Sequence, residues 1–268
     1  MEPRPAETVR IVRVLAPNPG PFTLEGTNTW IVGSAPALVI DPGPPGEGHV
    51  EAVGREALDV GAILLTHRHP DHAPAAGPLA ALTGARIYAF YAQEGEVPLR
   101  HGSAIEGGGL VLRAIHTPGH TPDHVAFHDP SSGALFTGDA VLGRGTSVID
   151  PPEGDMADYV RSLHRMLALE PRAIYPGHGP TIPSGEAKLR EYLEHRELRE
   201  RQVLEGLRGG PRTPQGLVPL IYQDYPPGLH LAAARSVLAH LIKLEREGRV
   251  ARTASPPGDH FELTASSQ

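Results

Sequence analysis

The stretch Thr66-His67-Arg68-His69-Pro70-Asp71-His72 decides how this chain is interpreted. It follows the apolar run Ala62-Ile63-Leu64-Leu65, which predicts a short buried strand. Side chains two positions apart lie on the same side of an extended segment, so His67 and His69 can reach one metal ion. The proline then turns the chain, which lets Asp71 and His72 point towards a second ion. Imidazole nitrogens and carboxylate oxygens suit zinc, and also manganese or iron.

Three further ligand-type residues follow predicted strand ends and stand beside glycine or proline, namely His120, Asp139 and His178. Turns of this kind can bring side chains from distant parts of a sequence into one site. Two ions with three ligands each and one shared carboxylate would use the whole set. The set is His67, His69, Asp71, His72, His120, Asp139 and His178. Asp139 is the natural bridge, because a carboxylate can hold two cations about 3.5–4 Å apart, and water held there should ionise near neutral pH to give a hydroxide nucleophile.

Composition limits the other classes of function. The chain has 268 residues, a formal net charge of -7 and no cysteine. The missing thiols exclude disulfides, thiolate zinc sites and cysteine nucleophiles, and they are compatible with a reducing cytosol. We find no apolar leader segment at the N-terminus and no run long enough to span a membrane, so we predict a cytoplasmic protein without a membrane partner.

The composition changes after Pro183, which predicts two domains, 1–185 and 186–268. The first alternates short strands with helices, apart from the Gly-rich stretch 91–109, which we interpret as a loop. The second predicts three helices and a hairpin, the outline of a winged helix. Its elements are a charged helix over 186–207, a short helix over 213–222 capped by Thr213, an amphipathic helix over 231–247, and strands at 250–253 and 260–263 joined by 255–259.

The motif His-x-His-x-Asp-His at 67–72, followed by His120, Asp139 and His178 and preceded by Asp41, resembles the five-motif signature of the metallo-β-lactamase superfamily. The resemblance covers about 9–183. It implies an α+β fold, a four-layer αββα sandwich with the metals at one edge of the sheets, followed here by the winged-helix-like domain. It also implies that His67, His69 and His120 hold one ion, that Asp71, His72 and His178 hold the other, and that Asp139 bridges them. We expect two Zn²⁺ per chain, with Mn²⁺ or Fe²⁺ as alternatives. We predict Asp71 and Asp139 as catalytic residues, and Asp41 as a residue that orients a ligand.

The stretches 18–29 and 141–146, together with the tail, resemble the β-lactamase-like protein 2 branch of that superfamily. The branch includes a nuclease that acts on single-stranded RNA, so the resemblance implies an endoribonuclease-like hydrolase. We expect substrate contacts from Arg144, Thr146 and His124. Arg144 stands where the branch leads us to expect an acidic residue, and a guanidinium there could bind a substrate phosphate. His124 could exchange a proton with a leaving group.

Other functions stay open at this point. A thioester or ester hydrolase resembling hydroxyacylglutathione hydrolase would use the same ligands on a small-molecule substrate, and a mononuclear iron sulfur dioxygenase would use similar ones. A protein of a different class would bind nucleic acid through the C-terminal domain without catalysis. The arginines of the first tail helix are interleaved with glutamates, which is typical of a solvated face. Packing or homodimerisation is therefore favoured over nucleic-acid contact for the tail.

Overall fold

A computed structural model describes residues 9–46, 48–223, 226–254 and 258–265. The strands are β1 Ile11–Leu15, β2 Asn28–Val32, β3 Ala37–Ile40, β4 Val60–Leu64, β5 Arg86–Ala89, β6 Val97–Pro98, β7 Ala104–Gly107, β8 Leu110–His116, β9 Val125–Asp129, β10 Ala134–Gly138, β11 Ala173–Pro176, β12 Val250–Thr253 and β13 His260–Leu263. The helices are α1 His49–Ala57, α2 Ala76–Thr83, α3 Met156–Leu167, α4 Gly185–Leu207, α5 Pro214–Ile221 and α6 His230–Arg246.

Two sheets form the centre of the fold. The first has the strand order β1-β2-β3-β4-β5-β6 and is antiparallel up to β3 and parallel from β3 onwards. The second has the order β11-β10-β9-β8-β7, in which only β10 and β11 are parallel. Because β3 and β4 are parallel, the segments that follow both strands leave the same edge of the first sheet. That edge carries Asp41 and the stretch 66–72.

The alternating pattern of the strands separates two layers of core. Trp30 and Val32 of β2 face the second sheet, whereas Ile31 between them faces α1 and α2. The layer between the sheets comprises Trp30, Val32, Leu38, Ile40, Ala62, Leu64, Leu99, Ile105, Leu112, Ala114, Val125, Phe127, Ala134 and Phe136. The layer under the helices comprises Ile31, Ala37, Val39, Val53, Ala57, Val60, Ile63, Leu65, Ala76, Leu79 and Ala89. Both layers bury the middle strands, so the loops that carry the ligand-type residues begin at rigidly packed strands.

The C-terminal elements have a core of their own. It joins α5, α6, the end of α4 and the hairpin β12–β13 through residues such as Leu217, Val237, Leu241 and Phe261. Thr213 caps α5 as predicted, because its side chain accepts a hydrogen bond from the backbone N–H of Gly216 at 3.1 Å. Residues 255–257 of the predicted wing turn lie outside the described residues.

The chain divides into two compact units that interleave along the sequence. Unit 1 comprises Met1–Thr117, Asp123–Ser147 and Arg165–Leu189, and unit 2 comprises Pro118–Pro122, Val148–His164 and Arg190–Gln268. The last change of unit, near Leu189, lies close to the boundary predicted at 185, but the segments 118–122 and 148–164 group with the C-terminal elements.

The predicted loop over 91–109 is wrong in part, because it contains β6 and β7. β6 is only two residues long and pairs with β5, and β7 pairs with β8. Among the described residues, no helix has both the length and the apolar character needed to cross a membrane.

Candidate metal centre

Ligand-type side chains of unit 1 form two adjoining groups at the ends of β4, β10 and β11. His67, His69 and Asp139 each offer one ligand atom within 4.8 Å of the others. Asp71, His72 and His178 form the other group by the same measure. The Oδ1 atom of Asp139 lies 3.3 Å from Nε2 of both His72 and His178, so this carboxylate borders both groups. The arrangement is the one expected of two cation sites that share Asp139.

Hydrogen bonds fix which nitrogen of each ring faces the centre. Nδ1 of His72 lies 2.8 Å from Oδ2 of Asp41, and Nδ1 of His178 lies 3.2 Å from the carbonyl oxygen of Gly26. Since both partners only accept, each Nδ1 must carry the hydrogen, which leaves Nε2 as the ligand atom. The two Nε2 atoms face each other at 3.2 Å.

Asp41 acts as an orienting residue, as predicted. Its side chain is buried, and its Oδ1 and Oδ2 accept hydrogen bonds from the backbone N–H and the hydroxyl of Thr66 at 2.8 and 2.6 Å. Because the Thr66 hydroxyl donates to Asp41, it accepts from Nδ1 of His67 at 2.9 Å. His67 then turns its Nε2 towards Nδ1 of His69, at 3.0 Å. A single carboxylate thus orients one histidine directly and another through a hydroxyl.

The loop that carries His178 is held by β2. The buried Asn28 side chain donates to the carbonyl oxygens of Pro176 and Gly179 at 2.9 and 2.8 Å, and the Trp30 indole N–H donates to Pro176 at 3.0 Å. Gly177 lets the backbone of this loop lie close to the Asp139 side chain, because a Cβ at that position would be 2.6 Å from Oδ1 of Asp139. The sequence alone assigns no role to Thr66, Asn28 or Trp30. The signals were that Thr66 begins the stretch 66–72 and that Asn28 lies in the stretch 18–29, which carries the branch resemblance.

Electrostatics favour a cation at this place. Burial raises the pKa of Asp139, but the neighbouring His72 and His178 outweigh it and hold that pKa well below the usual range. Burial lowers the pKa of His178, yet Asp139 and Asp71 raise it to about 9, and Asp139 and Asp41 likewise raise the pKa of His72 against the effect of burial. The carboxylates therefore hold protons on these rings, and a divalent cation would have to displace them.

The donor set fits two divalent metal ions. Imidazole nitrogens approach one another at 3.0 and 3.2 Å around charged carboxylates, and their other nitrogens are engaged by Thr66, Asp41 and Gly26. Nitrogen and carboxylate ligands with oriented rings are what zinc, manganese or iron sites require.

His120 belongs to the other unit, on the segment 118–122. Its Nδ1 donates to the carbonyl oxygen of Val148 at 3.0 Å, which leaves its Nε2 as the ligand atom, as in His72 and His178. Its assignment as a ligand stays a prediction.

The predicted substrate contacts have different surroundings. His124 is fully buried, its Nδ1 lies 2.8 Å from Oγ1 of Thr117, and its Nε2 accepts from the backbone N–H of Asp139 at 3.2 Å. His124 therefore contacts the backbone of Asp139, and its proton exchange with a leaving group stays a prediction. Arg144 is exposed and forms an ion pair with Glu25, whereas Thr146 is half-buried.

The arginines of α6 are engaged within unit 2. Arg235 pairs with Asp150 and also donates to the carbonyl oxygen of Pro151, and Arg246 pairs with Asp155. Both arginines line a cavity of about 450 Å³ together with Leu238 and other residues of unit 2. The ion pairs neutralise charge that a nucleic-acid-binding helix would present to phosphates.

Comparison with known proteins gives matches along most of the chain. The family model described as Metallo-beta-lactamase superfamily matches residues 22–96 and 84–178, and the one described as Beta-lactamase associated winged helix domain matches residues 213–259. The Beta-lactamase-like protein 2 homolog of Drosophila melanogaster is 35% identical over 268 residues, which cover 91% of this chain and 90% of the fly protein.

Two solved structures are similar as well. The crystal structure of a metallo-beta-lactamase family protein from Thermus thermophilus has a TM-score of 0.78 at 25% identity and covers 96% of this chain and 98% of that chain. The crystal structure of TTHA1623 in a di-iron-bound form has a TM-score of 0.53 at 30% identity and covers 65% of this chain and 96% of that chain.

Proposed function

Because the chain belongs to the metallo-β-lactamase superfamily and carries the winged-helix domain associated with it, we propose that it is a dinuclear metal-dependent endoribonuclease that cleaves phosphodiesters of single-stranded RNA. The predicted fold class is confirmed by these matches, and so is the general class of metal-dependent hydrolase. The observation that carries the proposal is the position of Asp139 between two groups of ligands.

The residues that would hold the ions are divided as the motifs imply. His67, His69 and His120 would hold one ion, Asp71, His72 and His178 would hold the other, and Asp139 would bind both. The imidazole-rich ligand set suits Zn²⁺, with Mn²⁺ or Fe²⁺ as alternatives. When bound, two such cations would supply an activated water molecule and neutralise charge on the phosphate.

Asp71 can accept a proton at the edge of the site. Its Oδ2 lies 3.1 Å from Nε2 of His178, and its side chain is a quarter exposed. Burial raises the pKa of Asp71, but the hydrogen bond from His178 and the charge of His72 lower it by more, so the carboxylate is ionised at neutral pH. We assign Oδ1, its other oxygen, as the atom that takes a proton from the attacking water.

The remaining chain provides substrate contact and rigidity. The Arg144 guanidinium is the phosphate-binding group in this proposal, and Thr146 is a neighbouring polar contact. Asn28 and Trp30 hold the His178 loop, and His124 holds the backbone of Asp139, so that the ligand atoms do not reorganise during the reaction. A cytoplasmic location and a homodimer remain predictions.

Cleavage of an end-labelled single-stranded RNA by zinc- or manganese-loaded protein tests this function. Asp139→Ala, prepared identically, is the control for contaminating nuclease. We expect cleavage by the parent protein only. A protein shown to hold two metal ions per chain that leaves RNA intact would contradict the proposal, and thioesters and small esters would then be assayed. One iron per chain, with no zinc, would contradict the dinuclear hydrolase.

A further inference from the structure

An exposed ion pair joins the two loops that hold His178. Glu25 lies between β1 and β2, Arg144 follows β10, and their side chains pair directly. Gly26, next to Glu25, accepts the hydrogen bond from Nδ1 of His178, and Gly143, next to Arg144, donates its N–H to the carbonyl oxygen of His178 at 2.9 Å. Each member of the pair is thus the sequence neighbour of a residue bonded to this ligand.

The loops are also in contact at Gly179, the residue after His178. A Cβ on Gly179 would lie 3.0 Å from Cδ1 of Leu24 and 3.3 Å from the backbone nitrogen of Arg144. The ion pair therefore joins two loops that both contact the segment 178–179.

The pair is weakly held. The Arg144 side chain is 58% exposed and that of Glu25 is 51% exposed. Ion pairs this exposed contribute little to stability, since water and salt screen both charges. By contrast, Arg68, which lies between the ligands His67 and His69, pairs with a Glu96 side chain that is only 11% exposed. Arg144 should therefore exchange its carboxylate partner more readily than Arg68 does.

We propose that Glu25 occupies Arg144 in place of a substrate phosphate, and that a phosphodiester anion displaces Glu25 when it enters the site. This inference rests on the proposed function. A guanidinium can bind two phosphate oxygens at once, and a carboxylate that is half exposed hydrates on release without leaving a buried charge. Glu25 is then a residue that sets affinity and specificity, because an anion must compete with it.

The exchange makes a specific prediction for substitutions. Glu25→Gln should tighten the binding of phosphate about threefold to fivefold, because the competing charge is gone. Arg144→Gln should weaken it about tenfold, because a charge-assisted contact is lost. In the Arg144→Gln background, Glu25→Gln should have no effect, since the two residues act through the same contact.

The experiment measures dissociation constants of the zinc-loaded protein for two probes, inorganic phosphate and a fluorescent 2′-O-methyl single-stranded RNA that resists cleavage. The four proteins are the parent, both single variants and the double variant, with zinc content measured on each. Glu56→Gln is the matched control, because Glu56 forms an ion pair of similar exposure with Arg10. Neither probe should respond to it.

Tighter phosphate binding by Glu25→Gln that disappears in the Arg144→Gln background would support the exchange. Unchanged, weaker or undetectable phosphate binding in Glu25→Gln, or the same gain in both backgrounds, would overturn it. If Glu25→Gln tightens phosphate binding through Arg144 but no protein binds the RNA probe, the exchange is supported and RNA is ruled out as the substrate. If the protein cleaves RNA but Glu25→Gln changes neither dissociation constant, the exchange is overturned and the proposed nuclease function stands.

Discussion

Buried histidines occur in both units, but their surroundings have opposite charge. In unit 1, carboxylates raise the pKa of His178 to about 9 although burial lowers it. In unit 2, burial lowers the pKa of His195, and the neighbouring Arg196 and Arg199 lower it further, to about 4. His240 follows the same rule, with its pKa held well below the usual value by burial and by Arg196 and Lys243.

The difference shows what turns histidines into a cation site. Nδ1 and Nε2 of His240 make no hydrogen bond to any part of the chain that the structure describes. Unit 2 therefore also contains imidazole nitrogens that could in principle bind a metal ion. The cationic surroundings of His240 would repel a metal ion, whereas the carboxylates in unit 1 attract one. Carboxylates beside the rings, more than burial or residue type, define the candidate centre.

The largest expected effect is the difference in activity and zinc content between a histidine variant of unit 1 and a histidine variant of unit 2. His178→Asn removes a proposed ligand, so hydrolysis should fall by about a thousandfold or more and zinc content should drop, because a metal contributes several kcal/mol to the reaction. His195→Asn changes a histidine in cationic surroundings and should leave both properties close to the parent. The measurements are kcat/KM and zinc per chain by elemental analysis. An equal loss in both variants would remove the distinction between the units.

The next effect tests the packing around Asp139. In Gly177→Ala the added methyl would lie 2.6 Å from Oδ1 of Asp139 and 2.7 Å from Cε1 of His72, so zinc affinity should fall by about 100-fold. Gly77→Ala in α2 is the control, because nothing lies within 4 Å of a Cβ at that position. It should stabilise the helix by about 1 kcal/mol. Zinc affinities from chelator competition decide the matter, and equal affinities in both variants would contradict the geometry.

A somewhat smaller effect should follow from changing the orienting carboxylate. Asp41→Asn cannot accept all the hydrogen bonds from Thr66 and His72, so zinc affinity should fall by about 10- to 100-fold while the ligands themselves remain. Asp129→Asn is the control, since that carboxylate accepts hydrogen bonds from Ser131 and Ser132 instead. Chelator competition on both variants measures the difference, and an Asp41→Asn protein with parental affinity would show that the orientation is dispensable.

The smallest effect concerns pH and unit 2. Since the pKa of His240 is lowered by folding, the unfolded chain binds the extra proton between pH 6.5 and the lower folded value. Stability should therefore fall as the pH drops below about 6.5, by at most about 1.4 kcal/mol per pH unit for each proton. His240→Leu should lose less stability between pH 7 and pH 5 than the parent in thermal denaturation. An identical decline in both proteins would show that His240 does not cause it.

The sequence predicted which ligand-type side chains lie close together better than it predicted the residues that orient them. His67, His69, Asp71 and His72 lie within one short stretch, so their shared site follows from local spacing. The ring orientations depend on partners far away, such as Asp41 for Thr66 and Gly26 for His178, and one sequence does not reveal such pairings.

The fold was predicted in the same uneven way. The strands predicted at 250–253 and 260–263 have the bounds of β12 and β13. The two-residue β6 and the glycine-flanked β7 exist because neighbouring strands pair with them, and their own sequences carry little strand signal. The grouping of 118–122 and 148–164 with unit 2 likewise depends on tertiary packing.

Anomalous X-ray diffraction at the zinc absorption edge, from crystals of the zinc-loaded protein, is the decisive test for a dinuclear centre at Asp139. We expect two anomalous peaks about 3.5–4 Å apart on either side of the Asp139 carboxylate. One should lie against His67 and His69, and the other against Asp71, His72 and His178. A single peak, or peaks that Asp139 does not contact, would contradict a dinuclear centre built around this residue.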